Sequence, residues 1–258
     1  IPHQWRYRAP ILEFSVFAGH RQYAKPAERM TGPLASAADL VLDVPCRPQW
    51  RRAEIAGLRA DMRVALASPQ GSPITPQQLV EAVQAAAPRS ARATVDAGAH
   101  MISAMAFWQA RKANDILMSN GLSTMGFALP AAVAAALADP LRPVAALTGD
   151  GGVSMCLGEI ATAAERGLQI VTVVFNDSAL SLIDIKQQAQ KLPTRGVRYP
   201  TIDFARVAEG LGARGYRVRS ADELRPALAA AFAGTGPAVV DVAIDASGYA
   251  AQLKALRG

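Results

Sequence analysis

The chain is short of the residues that most often carry chemistry by themselves. Its 258 residues include two cysteines and three histidines. Cys46 and Cys156 lie far apart and have no metal-ligand spacing, so neither a disulfide framework nor a zinc site is predicted, and reduced thiols in a cytoplasmic setting are the expectation. His3 and His20 stand alone in segments that read as solvated loops. Aromatics make up 6% of the chain, and the net charge of +6, with arginine in excess, is scattered through short patches such as "RPQWRR" and "RGYRVR". A nucleic-acid binder concentrates such charge in a stripe or arm, so nucleic acid is not an expected partner; small anionic ligands suit the excess, and so does a solvated surface. Long apolar runs are missing too. The best, "GFALPAAVAAALA", has about 13 residues, too few to span a bilayer, and with Pro130 inside it reads as a buried helix. No GxSxG elbow, HExxH pair or P-loop occurs. "GLGARG" (210–215) spells a dinucleotide fingerprint but follows a helix and precedes a strand, the reverse of the required order. The opening "IPHQWRYRAP" has neither an initiator methionine nor a signal-peptide pattern, and a piece of a longer protein is expected.

What is present is apolar and ordered. Hydrophobic residues form 51% of the chain, enough for a full core. Residues 1–45 hold two strand-like runs, "PILEFSVFA" and "ADLVLDV", and are read as the remnant of a central domain. Residues 46–74 are read as a linker with one helix, "WRRAEIAGLRADMRVAL". Regular alternation starts at Thr75, where Gln78 three residues on and Pro76 at the first helical position predict a capping box. Strands "ARATVDAGA", "DILMS", "PVAALTG", "QIVTVVFN", "ARGYRV" and "PAVVDVAID" then alternate with helices, among them "SMCLGEIATAAER", "LSLIDIKQQAQK" and a helix capped by Ser220 and Glu223. Nearly continuous apolar strands separated by helices predict an α/β fold: a doubly wound, mostly parallel sheet with helices on both faces. The predicted domain is 75–250, with 251–258 as a tail.

Two of these strands end in an acid, Asp150 in "LTGDGG" and Asp177 in "VFNDS". One crossover helix joins the strands, so both carboxyl ends should meet on the rim where ligands of such sheets bind. Two adjacent carboxylates without a basic partner resist ionisation, and a divalent cation relieves the conflict. Hard oxygen donors suit Mg²⁺ or Ca²⁺. Gly149, Gly151 and Gly152 would let backbone N–H groups approach an anion at the start of the following helix. Each piece alone also reads as a plain turn or a helix cap; the pairing of the two is more specific.

In this arrangement the chain resembles the thiamine-diphosphate-dependent enzymes of the acetolactate synthase type. "GDGG" with Asn or Asp 27 residues later (150 to 177) is similar to their cofactor motif. "SNGLSTMGFALPAA" is similar to "GLGTMGFGLPAA", and "VDAGAH" resembles "DVGQH". The resemblance covers about 75–250 and implies thiamine diphosphate and Mg²⁺ as cofactors. It implies Asp150, Asp177 and the carbonyl of Ala179 as metal ligands, with Ser181 standing where the family has glycine and Asp177 where most members have asparagine; Asn176 is the lesser alternative. It implies that Gly98, His100, Gly151 and Gly152 lie against the diphosphate, with Gly149 and Leu180 also in the cofactor site. Met125 would wedge beneath the cofactor, and the carbonyl of Ser123, a glycine in most members, would hold its amino group. Ala99 replaces a glutamine.

The resemblance further implies decarboxylation and carboligation of 2-oxo acids. The activating glutamate of such enzymes lies on an N-terminal pyrimidine-binding domain, of the same or another chain, reached across the interface of a homodimer or tetramer. Neither Glu159, in the crossover helix, nor Glu13 fits that role, so the catalytic residue is unassigned. Two other classes stay open: a non-catalytic scaffold of the same fold, and a Mg-dependent phosphohydrolase using Asp150 as nucleophile, which leaves "GLSTMGFALP" unexplained. Mixed with thiamine diphosphate and pyruvate, this chain alone is expected to give no turnover; carbon dioxide release above a protein-free control would place an activating carboxylate within these residues.

Overall fold

The structure, a computed structural model, describes residues 12–15, 28–33, 35–36, 38–39, 50–67 and 74–257. The chain divides into two compact units at Ala56 and Gly57. In the first, β1 (Leu12–Ser15) pairs in parallel with β2 (Glu28–Thr31), Leu12 opposite Glu28. Most of the second predicted strand, "ADLVLDV", lies outside the described residues. The helix α1 (Arg52–Ala65) matches the predicted helix.

The second unit is the predicted alternation. Its elements are α2 (Pro76–Ala86), β3 (Arg92–Val95), α3 (His100–Phe107), β4 (Ile116–Met118), α4 (Ala128–Ala138), β5 (Val144–Gly149), α5 (Asp150–Ser154), α6 (Gly158–Glu165), β6 (Ile170–Asn176), α7 (Ser181–Ala189), α8 (Phe204–Gly210), β7 (Arg214–Val218), α9 (Ala221–Ala233), β8 (Ala238–Ala243) and α10 (Tyr249–Arg257). The capping boxes form as spelled. Thr75 N–H donates to Gln78 Oε1 at 2.9 Å while Gln78 N–H donates to Thr75 Oγ1 at 3.2 Å, and Ser220 and Glu223 do the same at α9. Pro130 falls in the first turn of α4, where a missing N–H costs nothing. The single helix predicted over "SMCLGEIATAAER" is instead α5, beginning four residues earlier at Asp150, and α6, separated by 155–157. The segment 251–257 belongs to α10, fastened by buried Gln252, which bonds Ser103 on α3 and the carbonyl of Leu66.

All six strands of this unit are parallel, in the order β4-β3-β5-β6-β8-β7. Each central strand feeds two cores. Along β5, Ala145 and Leu147 pack with α2, α3 and α9, while Val144 and Ala146 pack with α4, α6 and α8; along β6, Val171, Val173 and Phe175 take the first face, Ile170 and Val174 the second. The two-residue period is hidden in the sequence because both faces are apolar. The connection from β3 leads outward to β4, and that from β5 leads the other way to β6. The strand order therefore reverses between β3 and β5, which is where such sheets open a crevice at their carboxyl ends.

A buried carboxylate ties together the segments around that crevice. Asp96, fully buried after β3, accepts from Gly126 N–H (3.1 Å), Phe127 N–H (2.9 Å) and Thr148 Oγ1 (2.9 Å). It thereby joins β3, β5 and the loop leading into α4. It also explains Gly152: a Cβ there would stand 2.0 Å from Asp96 Oδ2. Asp96→Ala removes the acceptor of the Ala97, Gly126 and Phe127 N–H groups and of the Thr148 hydroxyl, and is expected to cost about 3 kcal/mol or more. Gly152→Ala should destabilise by clash, yet cost at least about 1 kcal/mol less when Asp96 is already alanine. Denaturant unfolding of the two single variants and the double variant measures that coupling, and additive effects would contradict it.

Candidate cofactor and metal site

Three strand ends and one loop contribute to a single cavity of about 350 Å³, a size typical of small-molecule sites. The segment after β3 supplies Gly98 and His100, and the loop before α4 supplies Ser123 and Met125. The end of β5 supplies Gly149, Asp150, Gly151 and Gly152, and the end of β6 supplies Asp177, Ala179 and Leu180. Every residue of the favoured cofactor and metal assignment thus lines this one space. Asn176, the lesser alternative to Asp177, does not: its Nδ2 donates to the carbonyl of Ile202 and to Asp241 Oδ1.

The pairing of β5 with β6, Gly149 opposite Phe175, brings the two acids together. Asp150 is buried; its Oδ1 accepts from Gly151 N–H at 2.7 Å and from the Tyr199 hydroxyl at 2.8 Å, while its Oδ2 is buried without a partner. Burial raises the Asp150 pKa, against the hydroxyl of Tyr199 and nearby backbone amides. The Asp177 pKa is pushed up to about 6, first by burial and further by the charge of Asp150, against a hydrogen bond from Ser181. No cationic side chain pairs with either acid among the described residues. Nor does any cluster of three or more His, Cys, Asp or Glu side chains form among those residues, so a cation here would take two carboxylates and complete its shell with backbone or ligand oxygens. The unpartnered Oδ2 and the hard-oxygen character of the pair fit a cation of the Mg²⁺ or Ca²⁺ type.

His100 is buried, and burial lowers its pKa to about 4 despite the charge of Asp96. The ring is therefore neutral near pH 7, stacked on Phe175 at 5.3 Å, with Nε2 unpartnered. It explains two glycines: a Cβ on Gly98 would stand 2.7 Å from the ring and one on Gly149 3.2 Å. A Cβ on Gly151 would meet Leu180 Cδ2 at 2.4 Å and Met125 Cε at 3.3 Å. The glycines that read as openings for a ligand thus also make room for the protein's own side chains. Ser123 has φ 50° and Ser178 φ 57°, left-handed conformations that favour glycine. The Ser123 backbone accounts physically for a glycine preference there.

Sequence reasoning missed Asp96 and Tyr199. Asp96 opens the "DAGAH" block, but its donors come from distant segments. Tyr199 sits in an irregular stretch with no period to read. That stretch runs antiparallel to the Asp177 loop through an Ala179–Arg198 bridge, with Leu180 N–H donating to the Val197 carbonyl at 2.8 Å and Tyr199 N–H to the Ser178 carbonyl at 3.2 Å.

Similarity to known proteins agrees with this geometry. Residues 96–242 match the family described as "Thiamine pyrophosphate enzyme, C-terminal TPP binding domain". The chain is 35% identical over 170 residues to the catabolic acetolactate synthase of Raoultella terrigena, covering 66% of this chain and 30% of that protein. It is 33% identical over 172 residues to the acetolactate synthase of Bacillus subtilis (strain 168), covering 67% of this chain and 30% of that one. Among solved structures, a thiamine diphosphate-dependent 4-hydroxybenzoylformate decarboxylase of Rhodococcus jostii RHA1 shares the fold, with a TM-score of 0.74 and 23% identity over 92% of this chain and 44% of that chain. The chain thus spans about 30% of the length of the two synthases. Since the family match takes in more than half of the 258 residues, this chain belongs to the thiamine pyrophosphate enzymes and carries their C-terminal, cofactor-binding domain.

Proposed function

We propose that this chain is the diphosphate-holding part of an enzyme that uses thiamine diphosphate and Mg²⁺ to act on 2-oxo acids, by decarboxylation and carboligation in the manner of acetolactate synthases. The observation that carries the reading is the buried, unpartnered Oδ2 of Asp150 beside Asp177, on a cavity lined by Gly98, His100 and Met125. Asp150, Asp177 and the carbonyl of Ala179 would hold Mg²⁺, and a cation between the two carboxylates offsets the burial and repulsion that raise them. Gly98, His100, Gly151 and Gly152 would face the diphosphate, with Gly149 and Leu180 beside it. Met125 would support the cofactor's bend, and the Ser123 carbonyl would accept from its amino group. When bound, thiamine diphosphate supplies an electron sink for the carbanion that loss of carbon dioxide leaves.

The chain's own share is positioning. Neutral His100 lines the cavity without adding net charge, and Leu182 and Ile183 on α7 give the cavity an apolar wall that limits water at the reacting carbon. Residues 1–45 are assigned to the tail of a central domain and 46–74 to a linker. The activating glutamate is assigned to an N-terminal pyrimidine-binding domain, of the same or another chain, in a homodimer or tetramer. Among the described residues no helix is long and apolar enough to cross a membrane; a cytoplasmic enzyme is the proposed setting.

Calorimetry tests the reading. Thiamine diphosphate should release heat with the chain only when Mg²⁺ is present, and Asp150→Ala should weaken that binding on the order of 100-fold. No Mg-dependent heat would favour a scaffold, and hydrolysis of simple phosphate esters a phosphohydrolase. The pH dependence follows from Asp177, whose folded pKa of about 6 exceeds its ordinary 3.8. A raised carboxyl favours folding while protonated, below pH 3.8, and loses that contribution as pH rises through about 6. Without ligands, Asp177→Asn should therefore gain thermal stability over the parent chain from pH 5 to 7.5, reaching on the order of 2 kcal/mol. Mg²⁺ affinity of the parent should fall as pH drops through about 6, because protons compete for the carboxylates. A constant difference in Tm across that range would contradict the assignment.

A further inference from the structure

Each of the two cavity carboxylates has one oxygen already engaged by a hydroxyl. Tyr199 donates to Asp150 Oδ1 at 2.8 Å, and Gly151 N–H donates to the same atom at 2.7 Å. On the other acid, the Ser181 hydroxyl donates to Asp177 Oδ2. The tyrosine is held from several directions. Its own N–H bonds the Ser178 carbonyl at 3.2 Å, its neighbour Arg198 forms the bridge with Ala179, and the Arg198 guanidinium reaches buried Asp184 at 2.7 Å. There is little slack around it, since a Cβ on Gly151 would stand 3.2 Å from the Tyr199 hydroxyl. Asp150 cannot turn Oδ1 toward a cation without straining both donors. Oδ2, buried and without a partner, is the atom left for coordination.

Denticity separates the two common hard cations. Mg²⁺ requires six oxygens at about 2.0–2.1 Å in near-ideal octahedral geometry and accepts carboxylates through single oxygens; Ca²⁺ takes six to eight at about 2.3–2.6 Å and readily uses both oxygens of a carboxylate. We propose that Tyr199 and Ser181 are positioning residues that restrict Asp150 and Asp177 to one coordinating oxygen each, and so make the site select Mg²⁺ over Ca²⁺. The inference rests on the cofactor reading above and adds what decides between the cations. Neither residue touches the metal; each acts through the carboxylate that it engages.

The test measures thiamine diphosphate binding to the full chain by calorimetry, in MgCl₂ and separately in CaCl₂, and takes the ratio of the two dissociation constants. The parent chain should bind more tightly with Mg²⁺. Tyr199→Phe and Ser181→Ala each remove one hydroxyl, and each should shrink the ratio by roughly tenfold, the usual scale for partners of metal ligands, through weaker Mg²⁺ and preserved or tighter Ca²⁺ binding. Ser181→Thr keeps the hydroxyl and should retain the parental ratio. Circular dichroism melts establish that the variants fold, and Ser181→Gly serves in place of Ser181→Ala if that variant does not. Ratios unchanged in both variants, or equal losses with both cations, overturn the proposal while leaving the cofactor reading intact. Absence of any metal-dependent binding by the parent chain overturns both.

Discussion

The parallel pairing of β5 with β6, Gly149 opposite Phe175, is the constraint from which the site follows. A single crossover places the ends of these strands side by side, and each ends in an acid. Because the strands are central and buried on both faces, their register cannot slip without transferring apolar side chains between cores. Asp150 and Asp177 are therefore held near each other at a cost that the isolated domain carries in full: both pKa values are raised, and an oxygen of Asp150 lies buried without a partner. Such an arrangement is poor for stability and well suited to a cation.

Around this pair the chain arranges neutral groups rather than opposing charges. His100 is buried and neutral, and the Tyr199 and Ser181 hydroxyls donate without adding charge. Lys186 lines the same cavity but forms an ion pair with neither acid, and part of the remaining positive charge sits on arginines that pair with Asp115, Asp203 and Asp241. The two acids are thus left without an ion-pair partner for a ligand cation to supply, which is the electrostatic counterpart of the unpartnered oxygen. Asp96, by contrast, is a buried acid whose lone pairs are met by backbone and hydroxyl donors, and its task is to hold three segments together.

Much of this was legible in the sequence, for identifiable reasons. The capping boxes at Thr75 and Ser220 and the alternation of apolar strands with helices depend on neighbours within a few residues, so they could be read locally. The acids at 150 and 177 and the block around Met125 could be read because short motifs at fixed separations carry them. The break of the crossover helix at 155–157 could not, because the apolar "SMCLGEIATAAER" fits one helix as well as two. The reason for the glycines was only half legible. Close approach was foreseen, but that His100, Asp96 and Leu180 occupy the missing Cβ positions depends on segments tens of residues away.

By itself, then, the sequence determined the fold class, the strand ends that bear the acids and the family resemblance, since each is written in local pattern and spacing. The tertiary structure alone decided which oxygen of Asp150 is free, that Asn176 turns to Asp241, and that an aperiodic stretch delivers Tyr199 to a carboxylate 49 residues before it. Those facts depend on long-range packing, where a hydroxyl or a carboxylate finds its partner by position in space, and no local signal in the chain records it.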